Sequence, residues 1–377
     1  MKNIFIIYRS MFTPQGEVHT IGGIENYIMS LIETFKTQQW RTQIIQPAKT
    51  SFCLEREDVI INGVTTGIYR GNSKKFALAQ WVKQHAKEGD VVIFATDSYA
   101  VKIPGLATVG IQHGVSWDKP QTNSSFLGQF VSSLLNHYKY LKFARKSDTL
   151  ICVDHNFVNW YRTWCSPQAQ QIKVIYNFYQ QRLATDQLLQ KWAQSPQPLK
   201  LIIARRFVDY RGIAIIAPVI EKLLNQFEHL EVTFAGEGPL QPLLEKAFAK
   251  HPRVTITQYQ AQESFHIHQQ HHIAVIPTLG SEGTSLSMIE AMAAGCLVIS
   301  SNVGGLSNLI IDGYNGHMVM PNANEFERVI YQAINDINQT QQLAINGYES
   351  IKHVCSQAQW SRAWVDVIKS LPSKACH

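Results

Sequence analysis

The stretch PTLGSEGTSLSMIEAMAAGC, from Pro277 to Cys296, decides how the rest of the chain is read. An apolar run from Ile273 to Pro277 leads into it, and a second, Leu297–Ser301, follows it. Between them, a loop carrying Glu282 and Gly283 gives way near Thr284 and Ser285 to residues of helical periodicity. Strand, loop, helix and strand in this order predict a parallel βαβ unit. A helix start offers free backbone N–H groups and the positive end of its dipole. Gly283, Thr284, Ser285 and Leu286 are therefore placed to receive a phosphate. Glu282 before the helix and Glu290 within it are able to accept hydrogen bonds from sugar hydroxyls. For Glu282 a plainer reading stays open, an acid that favours the helix dipole. Glu290 lies among Ile289, Ala291, Met292 and Ala293, which read as buried, and a buried carboxylate needs partners.

Outward from this unit the same rhythm continues. The second half predicts strands at Leu199–Ala204, Leu230–Ala235 and Val254–Thr257, with helices at Gly212–Asn225, Leu240–Ala249, Glu325–Asn335 and Ser356–Ser370. The first half predicts strands at Lys2–Tyr8, Thr42–Gln46, Val91–Ala95, Ala107–Gln112, Thr149–Val153 and Lys173–Tyr176, with helices at Ile24–Phe35 and Ser125–Lys146. A Gln-rich stretch, Gln180–Pro198, ending in Ser-Pro-Gln-Pro, reads as a connection between domains. The fold class is α/β, with a doubly wound parallel sheet in each half. In such sheets ligands bind beyond the carboxyl ends of the strands.

The two glutamates of EGTSLSMIEAMAAG, followed by a strand and Gly304-Gly305, resemble the signature of retaining GT-B glycosyltransferases, and more narrowly glycosyltransferase family 4. The resemblance implies two Rossmann-like domains facing across a cleft. Residues 1–180 would bind the acceptor, 181–355 would bind a nucleotide-sugar, and 356–377 would cross back to the N-terminal domain. Four further segments agree. Ala204-Arg205-Arg206 to Arg211-Gly212 is similar to the family's Gly-Arg and Lys-Gly pair. Matched by spacing, Arg206 and Arg211 would hold the donor diphosphate and stabilise the leaving group. Arg205 stands where the family has glycine, and Arg211 where it has lysine. Gly236-Glu237-Gly238-Pro239 resembles the turn near the nucleotide base. Gly22 and Gly23 resemble a turn that approaches the donor phosphates. His113 stands where the family places a histidine facing the donor sugar, able to hydrogen-bond the sugar or settle charge. Val174–Asn177 resembles the family's segment entering the interdomain region.

Composition limits the classes. At 377 residues the chain exceeds the usual size of a single core. Its six cysteines form no CxxC pair and suit a reducing cytosol. Met1–Tyr8 lacks the features of a signal peptide. The uncharged run Ala291–Ile311 is long enough to span a bilayer, but its glycines and asparagines favour a helix end followed by a core strand. No transmembrane helix is expected. Lys plus Arg against Asp plus Glu is 19 against 12 up to residue 180 and 15 against 16 beyond it. The basic half suggests an anionic partner.

Two other clusters invite chemistry. His266, His268, His271 and His272 suggest a metal site, yet no cysteine or carboxylate lies among them and the spacing matches no familiar zinc pattern. The basic, aromatic stretch His137–Lys146 reads as a solvated helix or as a surface that docks on an anionic membrane. No nucleic-acid module accompanies it. No Asp-x-Asp metal motif occurs, so a UDP- or GDP-linked donor would be bound without a divalent ion or other cofactor. The resemblance thus implies a retaining, metal-independent hexosyltransferase, cytoplasmic or peripheral on the inner face of the membrane. It would act on a glycan or lipid-linked acceptor in bacterial surface polysaccharide or lipopolysaccharide synthesis. A nucleotide-sugar epimerase or hydrolase of the same architecture, or a non-catalytic binding subunit, are the rival readings.

Overall fold

The computed structural model describes residues 2–18, 22–56, 59–115, 118, 126–193, 198–249, 251–280 and 282–372. The expected Ser-Pro-Gln of the connection (195–197), Ile21 and Ser125 lie outside the described residues. The chain divides into two compact units. One comprises residues 1–113, 124–175 and 360–377, and the other residues 114–123 and 176–359.

In the first unit the strands are β1 (Asn3–Ile7), β2 (Arg41–Ala48), β3 (Phe52–Arg56), β4 (Val59–Thr65), β5 (Val91–Phe94), β6 (Ala107–Gln112), β7 (Thr149–Cys152) and β8 (Ile172–Val174). They form one sheet in the order β3-β4-β2-β1-β5-β6-β7-β8. Helices α1 (Gly23–Thr37), α2 (Lys74–His85), α3 (Phe126–Ala144) and α4 (His155–Trp164) connect them. The sheet is not wholly parallel, because β3 pairs antiparallel with β4. Sequence reading passed over β3, β4, α2 and α4. Exposed polar residues interrupt the apolar pattern of β3 and α2, and only Phe157 and Tyr161 of α4 are buried. Phe5, Ile7, Phe94, Leu78 and Val82 share one core.

The second unit holds β9 (Leu199–Ala204), β10 (Leu230–Ala235), β11 (Val254–Thr257), β12 (Ile273–Ile276), β13 (Leu297–Ser301) and β14 (His317–Val319). Its order is β11-β10-β9-β12-β13-β14, with every pairing parallel. Its helices are α5 (Thr185–Trp192), α6 (Ile213–Gln226), α7 (Gln241–Phe248), α8 (Ser264–Gln269), α9 (Leu286–Ala293), α10 (Ala323–Asn335) and α11 (Ile337–Val354). A central parallel strand is covered on both faces, which is why it reads as a continuous apolar run. Leu201 and Ile203 join one core with Ile216, Leu244 and Ile330, while Ile202 and Ala204 join another with Met288 and Met292. The Gln-rich connection is also corrected. It contains α5, whose Leu188 and Trp192 are buried, and the Trp192 indole donates to the Gly295 carbonyl at 3.0 Å. The uncharged run 291–311 is the end of α9, a turn at Gly295 and β13. No helix among the described residues is long and apolar enough to cross a membrane.

The last helix, α12 (Gln357–Ser370), packs mainly within the first unit. Trp364 is fully buried and its indole N–H donates to the Tyr27 hydroxyl at 2.8 Å. Trp360 meets the same ring edge-on at 4.9 Å, and the Thr34 and Ser361 hydroxyls share a hydrogen bond. Trp364→Ala is expected to cost about 3–5 kcal/mol in urea unfolding followed by circular dichroism. Trp164→Ala, at a side chain 57% exposed, should cost under about 0.5 kcal/mol.

Candidate functional site

At the carboxyl end of the second sheet, the loop after β12 is organised around one carboxylate. Glu282 is 8% exposed and forms ion pairs with both Arg205 and Arg211. Arg205 follows β9 directly and is itself buried; it also donates to the Thr278 hydroxyl at 2.7 Å and to the Ser285 hydroxyl at 3.1 Å. Burial lowers the pKa of Arg205 to about 10. Burial, reinforced by the charge of Arg205, pushes Arg211 down as well. Two cations therefore face one anion in a desolvated place, leaving a surplus positive charge.

Backbone contacts hold Glu282 where these cations meet. Its carbonyl accepts the Gly305 N–H at 3.0 Å. Gly304 has φ +53°, and a Cβ there would fall 2.3 Å from the same carbonyl oxygen. Gly114, which groups with the second unit, has φ +97°, and a Cβ there would lie 2.6 Å from the Gly283 nitrogen. Ser285 caps α9, accepting the Met288 N–H at 3.4 Å, so the helix start opens beside the arginines. Gly283 and Thr284 are buried, and Asn177 donates to the Thr284 carbonyl at 2.5 Å. Leu286 is the first residue of α9.

The structure separates the two arginines matched by spacing. Arg211 reaches Glu282, whereas Arg206 is exposed and donates to the Tyr210 hydroxyl at 2.8 Å. Arg205, set aside in the sequence as a missing glycine, takes the inner place. Its signal was a second cation at the end of an otherwise apolar strand. Gly236 follows β10 directly and donates to the Thr257 carbonyl at 2.8 Å.

Glu290 is one turn into α9 and half-buried; its carboxylate accepts a hydrogen bond from the Ser264 hydroxyl. Burial raises its pKa from 4.5 to about 7, with Ser264 opposing the shift.

In the first unit, a second buried carboxylate organises the turn after β1. Glu25 accepts from the Tyr8 hydroxyl at 2.7 Å and from the Gly22 N–H at 3.0 Å, and Arg9 lies 3.9 Å away. Gly22 thus caps α1, which Gly23 opens. His113 follows β6, packs edge-on against Tyr27 at 5.3 Å, and contacts the Ala95 carbonyl through Nε2 at 2.8 Å. Because a carbonyl only accepts, Nε2 carries the proton and Nδ1 presents a lone pair. Burial lowers the histidine pKa to about 4, so the ring is neutral near pH 7.

The histidine cluster has partners within the fold. His268 and His271 contact the Ser264 and Ile267 carbonyls, at 2.7 and 2.6 Å, and His272 Nδ1 accepts the Lys200 N–H at 3.1 Å. Among the described residues no group of three His, Cys, Asp or Glu is placed to hold a metal.

Residues 198–336 match the family model "Glycosyl transferases group 1", and residues 21–180 match "Glycosyltransferase Family 4". The lipopolysaccharide 1,2-N-acetylglucosaminetransferase of Salmonella typhimurium is 26% identical over 165 residues, 41% of this chain and 42% of that protein. Sequence relatives are matched over less than half of their own length, 41% and 31% in two further cases. The sucrose-phosphate synthase structure from Thermosynechococcus elongatus superposes with a TM-score of 0.76 at 18% identity, covering 98% of both chains. That of Anabaena HepE in complex with UDP gives 0.72 at 16% identity, covering 98% of this chain and 100% of that one. The fold is GT-B.

Removing each member of the cluster should cost differently in urea unfolding. Glu282→Gln strands two buried guanidiniums and is expected to cost about 3–5 kcal/mol. Arg205→Met should cost about 1–3 kcal/mol, and Arg206→Met under about 0.5 kcal/mol. Equal costs for Glu282→Gln and Arg206→Met would contradict the cluster. Glu290 predicts a pH effect. Its folded pKa lies above the unfolded value, so the native state holds the extra proton and this contribution to stability falls as pH rises from about 4.5 through about 7. The melting temperature of Glu290→Gln should fall less across that window than that of the parent chain.

Proposed function

The chain belongs to the GT-B glycosyltransferases of group 1 and family 4, and from that premise we infer that it transfers a sugar from a nucleotide-sugar donor to an acceptor, with retention of anomeric configuration. The observation that carries this reading is the Arg205–Arg211–Glu282 cluster beside the start of α9. Its surplus positive charge and the positive end of the helix dipole suit a diphosphate, and they grow more favourable as the leaving nucleotide gains charge. This chain's residues supply that compensation in a reading that needs no divalent ion. Glu282, already saturated by two guanidiniums, orients them and meets the sugar. Glu290 receives the ribose hydroxyls, and Gly236 borders the base. Neutral His113 is too weak a base to drive deprotonation; its Nδ1 is assigned to accept a hydrogen bond from the transferred sugar.

The name of the Salmonella relative concerns lipopolysaccharide, which supports a glycan or lipid-linked acceptor in surface polysaccharide synthesis. Association with the inner membrane face is part of the same proposal. On α3, Phe130, Val131, Leu134, Leu135 and Tyr138 are exposed at helical spacing, and Lys139 and Lys142 follow them. An exposed apolar stripe ending in cations suits an anionic interface. The epimerase, hydrolase and non-catalytic alternatives gain nothing specific from the geometry.

The test is transfer from UDP- or GDP-sugars in EDTA, with the product anomer read by NMR. Glu290→Ala should raise the donor KM, and Glu282→Ala should lower kcat by about a hundredfold or more, as for a lost charge-stabilising group. Unchanged kinetics in both variants, or an inverted product, would overturn the assignment.

A further inference from the structure

A cavity lies within the first unit, at the carboxyl ends of the neighbouring strands β4, β2 and β1. Its volume is about 490 Å³, and its lining includes Arg9, Lys49, Arg70, Lys74, Thr65 and Thr66. Each cation arrives from a different turn of chain. Arg9 lies just beyond β1, Lys49 directly beyond β2, Arg70 in the turn after β4, and Lys74 opens α2. Among the described residues no carboxylate lines the cavity. Among the described residues, the four cations make one ion pair, the 3.9 Å contact of Arg9 with Glu25.

Ordinary solvated lysines scatter among acids, and these do not. Lys74 and Lys75 occupy the first turn of α2, which contains no acidic residue. That placement sets cations against the positive end of the helix dipole, the reverse of the favourable arrangement. Arg70 is held in the turn by its own Nη1, which donates to the Gly67 carbonyl at 2.7 Å and the Tyr69 carbonyl at 3.3 Å. Convergent like charges at the ligand-binding edge of a parallel sheet lose their mutual repulsion when an anion sits among them.

We propose that this pocket receives a phosphate group carried by the acceptor. The word acceptor rests on the transfer reading above; the phosphate subsite does not. Two guanidiniums and two ammoniums favour a dianion over a single carboxylate, and arginine forks match phosphate oxygens. Thr65 and Thr66 add hydroxyl donors at the rim. The acceptor is then a phosphorylated sugar or a phosphate-linked glycan rather than a neutral one.

The test is calorimetric titration of the full chain with mannose 6-phosphate, mannose, glucuronate and UDP in separate runs. Mannose 6-phosphate should bind more tightly than mannose or glucuronate. Arg70→Ala/Lys74→Ala should weaken it by about tenfold or more, the loss of charged hydrogen bonds. Lys83→Ala, near the far end of α2, removes a cation outside the pocket and should leave that binding unchanged. UDP affinity should be the same in all variants. Mannose or glucuronate binding as tightly as the sugar phosphate would overturn the proposal, as would a double variant that binds like the parent. If UDP fails to bind the parent chain while sugar-phosphate binding still depends on Arg70 and Lys74, the subsite stands and the transferase reading falls.

Discussion

One carboxylate shared by two guanidiniums sets the geometry at the carboxyl end of the second sheet. Glu282 could not be buried alone, since an unpaired charge in that environment would be protonated or would unfold the loop. Arg205 and Arg211 both pair with it, and it keeps them from repelling each other apart. The surrounding backbone is shaped to the same end. Gly304 and Gly114 come too close to the Glu282–Gly283 peptide to carry a side chain, and Ser285 both caps α9 and contacts Arg205. The loop is thereby fixed before any ligand arrives, and preorganised charge is the kind that stabilises a leaving diphosphate with least reorganisation.

The first unit solves a similar problem around a second buried carboxylate. Glu25 gathers the Tyr8 hydroxyl, the Gly22 N–H and, more distantly, Arg9, and so fixes the glycine turn that starts α1. His113 is kept neutral by burial and oriented by the Ala95 carbonyl. Neither group is arranged for strong acid–base chemistry. Both are arranged to present hydrogen bonds in fixed directions, which suits a reaction limited by positioning and charge stabilisation.

Most of the second sheet was legible because buried parallel strands are largely apolar runs, as in Ile273–Ile276 and, apart from Lys200, in Leu199–Ala204. The helix start after Ser285 was legible from the loop chemistry before it. Elements with a mixed face were not. In α5, Leu188 and Trp192 are buried among glutamines and charges, and α11 presents a run of Gln and Asn around Leu343, Ala344 and Tyr348. Strand β3, at the sheet edge and antiparallel to β4, is largely exposed and lacks an apolar run. Arg205 escaped for another reason. Its partners Thr278, Glu282 and Ser285 are 73, 77 and 80 residues away, and spacing alone favoured its neighbour Arg206. Which of two adjacent arginines turns inward is decided by tertiary contacts.

The central claim, that the Glu282 cluster and α9 form a nucleotide-diphosphate site, is tested most directly by thermal shift with UDP, GDP, ADP and dTDP in EDTA. A ligand that binds only the native state raises the melting temperature by mass action. The account predicts a clear rise with one nucleotide class, abolished by Arg205→Met/Arg211→Met and retained by Arg206→Met. A rise that survives the double variant would contradict it, as would a loss on changing Arg206 alone.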